Sequence, residues 1–189
     1  MYQDSIAYSA MHPRLAELLD YVQLQRVALF EAVAHIPEPV RDRRLEAETW
    51  SAAEVLEHLQ RVESGIARLI TRSVERAKAA GLEPENEVSS MLASLDALRL
   101  TDRSKRISAP EPVMPRGELT AAQGMAALIE SRQALIAALW QADGLALGRI
   151  TRDHPMLGPL NLYQWVLFVG QHEARHAGQL QDIARHIAT

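Results

Sequence analysis

Cysteine is absent from this sequence of 189 residues. Its absence excludes disulfide bonds and metal sites built from thiolates. The longest apolar run, residues 134–140, has seven residues and is too short to span a bilayer. Residues 1–6 lack the basic and apolar regions of a signal peptide. We therefore expect a cytoplasmic protein with no membrane partner.

A strong excess of charge of one sign is also lacking, because the formal net charge is −4. This charge gives no reason to expect nucleic acid or an anionic membrane as a partner. Internal repeats, low-complexity tracts and glycine-rich phosphate loops are missing as well. The composition, 48% apolar and 23% charged, is ordinary for a folded protein. The length corresponds most simply to a single domain over residues 1–189.

The sequence does contain four long segments with apolar residues at helical spacing, whereas no segment alternates as a strand does. The expected helices start at Pro13, Ser51, Thr120 and Asn161 and end near Ile36, Gly81, Gly144 and His186. Three starts carry a capping box, in which a polar N-cap residue is followed three residues later by Glu or Gln. These pairs are Ser51 and Glu54, Thr120 and Gln123, and Asn161 and Gln164. The sequence predicts an all-α fold, most simply a four-helix bundle.

The connections between these helices differ in kind. Residues 82–119 are long enough for a crossover between the second and third long helices, and we expect a short amphipathic helix near Glu87–Arg99 within them. Residues 109–115 are rich in proline and predict an extended, polyproline-like chain. Residues 144–160 predict a loop.

Three histidines occupy helix positions where apolar residues are expected. His172 and His176 are four residues apart, so both imidazoles lie on one face of the fourth helix. That face otherwise carries apolar residues, and His58 repeats the pattern between Val55 and Val62 of the second helix. Polar groups that face a core need partners or cost free energy. One shared divalent metal would satisfy all three imidazoles, although core histidines satisfied by other side chains remain the alternative.

An all-histidine site without cysteine suits zinc, nickel or another first-row divalent ion. Three protein ligands leave at least one coordination position for water or substrate, which is typical of catalytic zinc sites. His154 is the candidate for a fourth protein ligand, and its alternative role is that of a turn residue before Pro155.

Three charged residues are candidates for supporting roles. Glu173 and Arg175 flank the histidine pair, where a carboxylate could orient a ligand by accepting its free N–H. The alternative for both is an exposed helix face. Arg132, near the apolar stripe of the third helix, could bind a substrate carboxylate, or it could extend its charge to the surface.

Two stretches resemble the DinB-like superfamily. Residues 50–59, Trp-Ser-Ala-Ala-Glu-Val-Leu-Glu-His-Leu, are similar to its second-helix signature. Residues 154–160, His-Pro-Met-Leu-Gly-Pro-Leu, followed by Trp165 and residues 172–180, His-Glu-Ala-Arg-His-Ala-Gly-Gln-Leu, are similar to its fourth-helix signature. The resemblance implies a four-helix bundle with a long crossover, often dimeric, that binds one divalent metal. By this motif match the metal ligands are His58, His172 and His176.

The resemblance also implies a range of activities. Some relatives are thiol-dependent transferases or isomerases, others have been described as metal-dependent hydrolases, and many have no established activity. We expect an enzyme that transfers a low-molecular-weight thiol to an electrophile, because a thiol beside the cation loses its proton more readily. Hydrolysis by activated water is the alternative reaction. The alternative of another class is a metal-binding or stress-response protein without turnover. The expected partners are a small-molecule substrate and a second copy in a homodimer.

Overall fold

Long helices begin where the sequence supplies side chains that cap them. The Ser51 hydroxyl accepts a hydrogen bond from the Glu54 amide, and the Glu54 carboxylate accepts one from the Ser51 amide. Thr120 with Gln123 and Asn161 with Gln164 make the same reciprocal pair. The helices are α1 Pro13–Ala34, α2 Ala52–Ala79, α3 Ala121–Ala142 and α4 Leu162–Ala188. The prediction of a helical fold is confirmed, because most of the chain is helical.

These elements come from a computed structural model that describes residue 8, residues 10–104 and residues 107–188. Residues 1–6, on which the expectation of no signal peptide rests, lie outside the described residues. Within the described ranges, we find no helix with both the length and the apolar character needed to cross a bilayer.

The four long helices pack mainly in two pairs. α2 packs against α3, α1 packs against α4, and α2 also meets α4. α2 and α4 run in opposite directions. At one end, Tyr163 at the start of α4 donates a hydrogen bond to Glu85 beyond the end of α2. At the other end, Trp50, just before α2, stacks on His176 in the second half of α4. The contact between α2 and α4 positions the site described below.

The connection between α2 and α3 covers one end of this contact. The expected short helix near Glu87–Arg99 is only a 3-10 helix over Leu92–Leu98, of which Leu95 alone is buried. Within the proline-rich stretch, Glu111–Val113 forms another 3-10 turn. The Glu57 carboxylate accepts hydrogen bonds from the backbone amides of residues 116–118 and so holds this connection against α2.

Residues 144–160 contain regular structure where the sequence predicts a loop. They contain a 3-10 turn over Leu147–Arg149 and two antiparallel strands, β1 Thr151–His154 and β2 Gly158–Asn161. His154 pairs with Gly158, whose φ of +78° closes the turn between the strands. Strands of four residues with two neighbouring prolines are too short to show an alternating pattern, which explains why the hairpin was not predicted.

Candidate metal centre

Three imidazoles from two helices point at one another. His58 comes from α2, and His172 and His176 come from successive turns of α4. The Nε2 atom of His172 lies 3.2 Å from Nε2 of His58 and 3.1 Å from Nε2 of His176. One potential ligand atom of each histidine lies within 4.8 Å of the others. The structure thus brings together the three histidines singled out in the sequence.

Hydrogen bonds at the far side of two rings fix which nitrogen carries the proton. The Nδ1 atom of His58 lies 2.7 Å from the Val113 carbonyl oxygen, and Nδ1 of His176 lies 2.8 Å from Oε1 of Gln179. Both partners accept hydrogen bonds, so Nδ1 of each ring is the N–H donor. The lone pairs of His58 and His176 are therefore on Nε2, directed towards the centre of the cluster.

Burial keeps the cluster neutral. Desolvation lowers the pKa of His58, and it lowers the pKa of His176 to about 3 together with repulsion from a charged His58. The pKa of His172 falls well below its ordinary value because of burial and the two neighbouring rings. Metal ligation requires neutral imidazoles, so all three rings are in the form that binds a cation.

The spacing of the nitrogens suits a small divalent ion. Separations of 3.1 and 3.2 Å correspond to N–metal–N angles of about 100° at a metal–nitrogen distance of about 2.05 Å. In the absence of a cation, one proton on Nε2 of His172 could point at only one of the two facing lone pairs. The three histidines can therefore hold a metal ion, and nitrogen donors of this kind suit zinc or nickel.

His154 does not belong to this group in the part of the chain that the structure describes. Its Nδ1 atom accepts hydrogen bonds of 3.2 Å from the backbone amides of Met156 and Leu157. A neutral ring that accepts at Nδ1 carries its proton on Nε2, which leaves no lone pair there for a metal. The expectation of His154 as a fourth ligand is thus replaced by a role in the hairpin turn, with its ring against Trp165 and Phe168.

Glu173 does not orient a histidine ligand. Its Oε1 atom accepts hydrogen bonds from Arg26 on α1 and, at 2.9 Å, from Arg132 on α3. This corrects the expectation of a contact with an imidazole. One residue along a helix turns the side chain by about 100°, which directs Glu173 into the interior between the helices while His172 faces α2.

The Arg132 guanidinium is likewise bound to other side chains and does not face the cavity of the site. Its guanidinium is buried and donates to Oε1 of Glu63 at 2.6 Å as well as to Glu173. Arg26 also bridges the two carboxylates, and it donates to Oε2 of Glu63 at 2.8 Å. Each of the four long helices thus contributes one charged residue to a buried network of two arginines and two glutamates. The expected grip of Arg132 on a substrate carboxylate is replaced by this role.

The charges of this network compensate one another. Burial alone raises the pKa of Glu63, but Arg132, Arg26 and the Ser131 hydroxyl outweigh burial and hold that pKa below its ordinary value. Burial raises the pKa of Glu173, and the two arginines offset only part of the effect.

Arg175, the third charged candidate from the sequence, does not contact a histidine ligand in the hydrogen bonds described here. It donates to the carbonyl oxygens of Leu100 and Asp102 and so fastens the α2–α3 connection to α4.

A cavity of about 800 Å³ opens onto the histidines. Its walls come from residues 48–50 before α2, from α2 and α4, from the turn of the hairpin and from the α2–α3 connection. The ring of Phe168 is stacked on His172, with centroids 5.1 Å apart, and Trp50 is stacked on His176 at 6.3 Å. The volume lies in the range typical of small-molecule sites. The site is therefore accessible from one side and enclosed by aromatic rings on others.

Comparison with known proteins identifies the family of the chain. The model of the DinB superfamily matches residues 21–180, which include all three histidines. The chain belongs to the DinB superfamily. A curated relative, the uncharacterized protein YuaE of Bacillus subtilis (strain 168), is 28% identical to this DinB-superfamily protein over 142 residues, which cover 75% of this chain and 81% of the relative. No solved structure matches the chain significantly.

Two groups that orient the histidines of this DinB-superfamily protein, the Val113 carbonyl and the Gln179 side chain, are not predicted from the sequence. The Val113 carbonyl cannot be found from residue types, because every residue has one and the connection that carries it is irregular. The role of Gln179 could have been predicted, since this residue lies three positions after His176 and so on the same helix face.

Replacing Gln179 with leucine is expected to weaken zinc binding roughly 10- to 100-fold, because the His176 ring loses the acceptor that fixes its orientation. Competition with a zinc-sensitive chelator dye would measure the affinity. Gln181→Leu, an exposed position on the same helix, is the control and should bind zinc like the original protein. Equal affinity of the Gln179 variant and this control would show that the amide has no orienting role.

Proposed function

We propose that this protein is a metal-dependent enzyme that transfers a low-molecular-weight thiol to an electrophilic small molecule. His58, His172 and His176 would hold one zinc or nickel ion. The observation that carries the proposal is the convergence of their three Nε2 atoms at the wall of a cavity large enough for small molecules. When bound, such an ion lowers the pKa of a thiol or a water molecule next to it and so produces a nucleophile near neutral pH.

The protein's own residues support this chemistry in two ways. Val113 and Gln179 fix the rings of His58 and His176 before any ligand arrives, which reduces the reorganisation needed on binding. Trp50 and Phe168 cover the outer faces of the histidine cluster and limit its contact with water. Reduced contact with water strengthens the electrostatic interactions inside the site.

Two observations bear on the alternatives. Hydrolysis would need a general base, and Glu173, the carboxylate next to His172 in the sequence, does not supply one because it is bound to Arg26 and Arg132. A metal site without turnover would be favoured by a closed shell of four protein ligands. The Nδ1 contacts of His154 instead argue for an open position facing the cavity.

We further propose that residues 1–189 form one domain, in which the four long helices make a four-helix bundle with the α2–α3 connection as its crossover. Cytoplasmic location and a homodimer belong to the same proposal.

A thiol-transfer assay tests the proposed reaction. The protein, purified without a histidine tag, is stripped of metal, reloaded with zinc or nickel, and mixed with a panel of thiols and 1-chloro-2,4-dinitrobenzene. We expect the thiolate to displace chloride and form the aryl thioether faster than the spontaneous rate, and this gain should depend on both the metal and His172. Hydrolysis of p-nitrophenyl acetate without any need for thiol would favour the hydrolase instead. Neither reaction above background, in a protein with stoichiometric metal, would contradict an enzymatic role for these chemistries.

A further inference from the structure

The cavity has two chemically different sides that meet at the histidines. Going along α2 from His58, the cavity is lined first by Arg61, which is paired with Glu57, and then by the uncharged residues Val62, Gly65, Ile66 and Leu69. Because α4 runs in the opposite direction, the same side of the cavity is lined there by Phe168 and Trp165. The other side carries polar groups, such as the ion pair between Arg103 and Asp182 beyond His176. On α4 the change from polar to apolar thus lies at the histidines, and on α2 it lies one turn beyond His58, after Arg61.

We name the apolar side the apolar arm, and its members are Val62, Ile66, Leu69, Leu157, Trp165 and Phe168. Residues 58 and 69 are 11 positions apart (69 − 58), which is about 16 Å at the helical rise per residue. Three apolar side chains at the rim of the cavity, Ile107, Met114 and Met156, are 40–51% exposed. Exposed apolar side chains gathered around a cavity are typical of a binding site for an apolar group.

Gly65 gives an independent indication of what the apolar arm holds. A glycine inside a helix costs about 1 kcal/mol relative to alanine, so it usually has a packing reason. Such a reason exists at Gly124 and Gly170, where an added Cβ would lie 2.8 Å from Leu56 Cβ and 2.5 Å from the Tyr21 ring. At Gly65, in contrast, no described atom beyond the neighbouring backbone of α2 itself and the two adjacent residues lies within 4 Å of an added Cβ. Its missing side chain only enlarges the cavity.

We propose that the substrate of this site has a polar head that reaches the histidines and an elongated apolar body that lies in the apolar arm. This ligand class rests on the proposed function, because the metal would bind the head. Leu157 and Met156 of the hairpin turn cover the arm, so the hairpin that positions His154 also shapes the space for the apolar body. The open volume at Gly65 gives that body room beside α2.

A series of alkanehydroxamates with a constant chelating head tests the proposal on the zinc-loaded protein. From acetohydroxamate to hexanohydroxamate, titration calorimetry should find affinity rising by up to about fourfold for each methylene that is fully buried. Gly65→Phe should fill the arm and remove this dependence, while acetohydroxamate binding stays unchanged. Ala126→Phe, at an exposed position on α3, should behave like the original protein. An affinity independent of chain length in the original protein would overturn the proposal, and so would an undiminished dependence in Gly65→Phe.

Two further measurements separate this proposal from that of the metal site. His172→Ala should lose the affinity for acetohydroxamate, which depends on the metal. Decan-1-ol has no chelating head, so its binding reports on the arm alone and should be weakened by Gly65→Phe. Binding of decan-1-ol without any metal-dependent binding of hydroxamate would support the apolar arm and contradict the metal site. Hydroxamate binding that requires His172 but does not depend on chain length would support the metal site and contradict the apolar arm.

Discussion

Zinc binding is expected to become about 100-fold weaker, or weaker still, when His172 is replaced by alanine. Structural zinc sites with four ligands bind with about 10–16 kcal/mol, so one ligand accounts for roughly 3 kcal/mol, or about two powers of ten in affinity. His172 lies between the other two rings, and its Nε2 atom contacts both. His35→Ala, at the exposed end of α1, removes a histidine outside the cluster and should keep the original affinity.

Melting temperature reports the same loss independently. With free zinc at about 100 times the original dissociation constant, the original protein gains about 2.7 kcal/mol over its metal-free form, which is roughly 5–10 °C. A variant with 100-fold weaker binding gains only about 0.4 kcal/mol, or about 1 °C, at the same zinc concentration. An equal zinc-induced shift in His172→Ala and His35→Ala would mean that the ion binds elsewhere.

Replacing Arg132 with methionine is expected to destabilise the fold by about 3–5 kcal/mol, because it leaves two buried carboxylates with a single arginine between them. For a chain of this length the melting temperature should fall by roughly 6–20 °C. Denaturant unfolding would give the free energy directly. Arg68→Met, on the exposed face of α2, is the control and should change the stability little.

A double-mutant cycle separates lost charge compensation from lost packing. Glu63→Gln removes one of the two carboxylates, so Arg132→Met combined with Glu63→Gln leaves Arg26 paired with Glu173 alone. The double variant should therefore be more stable than the sum of the two single losses predicts. Additive losses would show that Arg132 contributes through packing and not through charge.

The helix starts and the histidine cluster could be predicted because both are local patterns. Each capping box lies within four residues, and its hydrogen bonds form as the sequence predicts. The four-residue step between His172 and His176 is fixed by the helix itself. His58 could be added because it interrupts an apolar stripe in the same way.

The other features depend on contacts between distant segments. The sequence singles out Glu173 and Arg132 as candidates for the site, but their partners come from different helices. The spacing of residues in the sequence carries no information on which helices pack together. Arg26 and Glu63 received no role, although each is an ionised group buried with its opposite charge. The Val113 carbonyl reaches His58 from an irregular connection that Glu57 holds against α2 three residues further on.

X-ray absorption spectroscopy of the protein loaded with one equivalent of zinc tests the metal centre most directly. We expect three imidazole ligands at about 2.0–2.1 Å from the metal, together with one exchangeable light-atom ligand. In His172→Ala the imidazole signal should fall to two rings or the zinc should be lost. Zinc held by carboxylates, or a spectrum that the His172 substitution leaves unchanged, would contradict the assignment of the centre to these histidines.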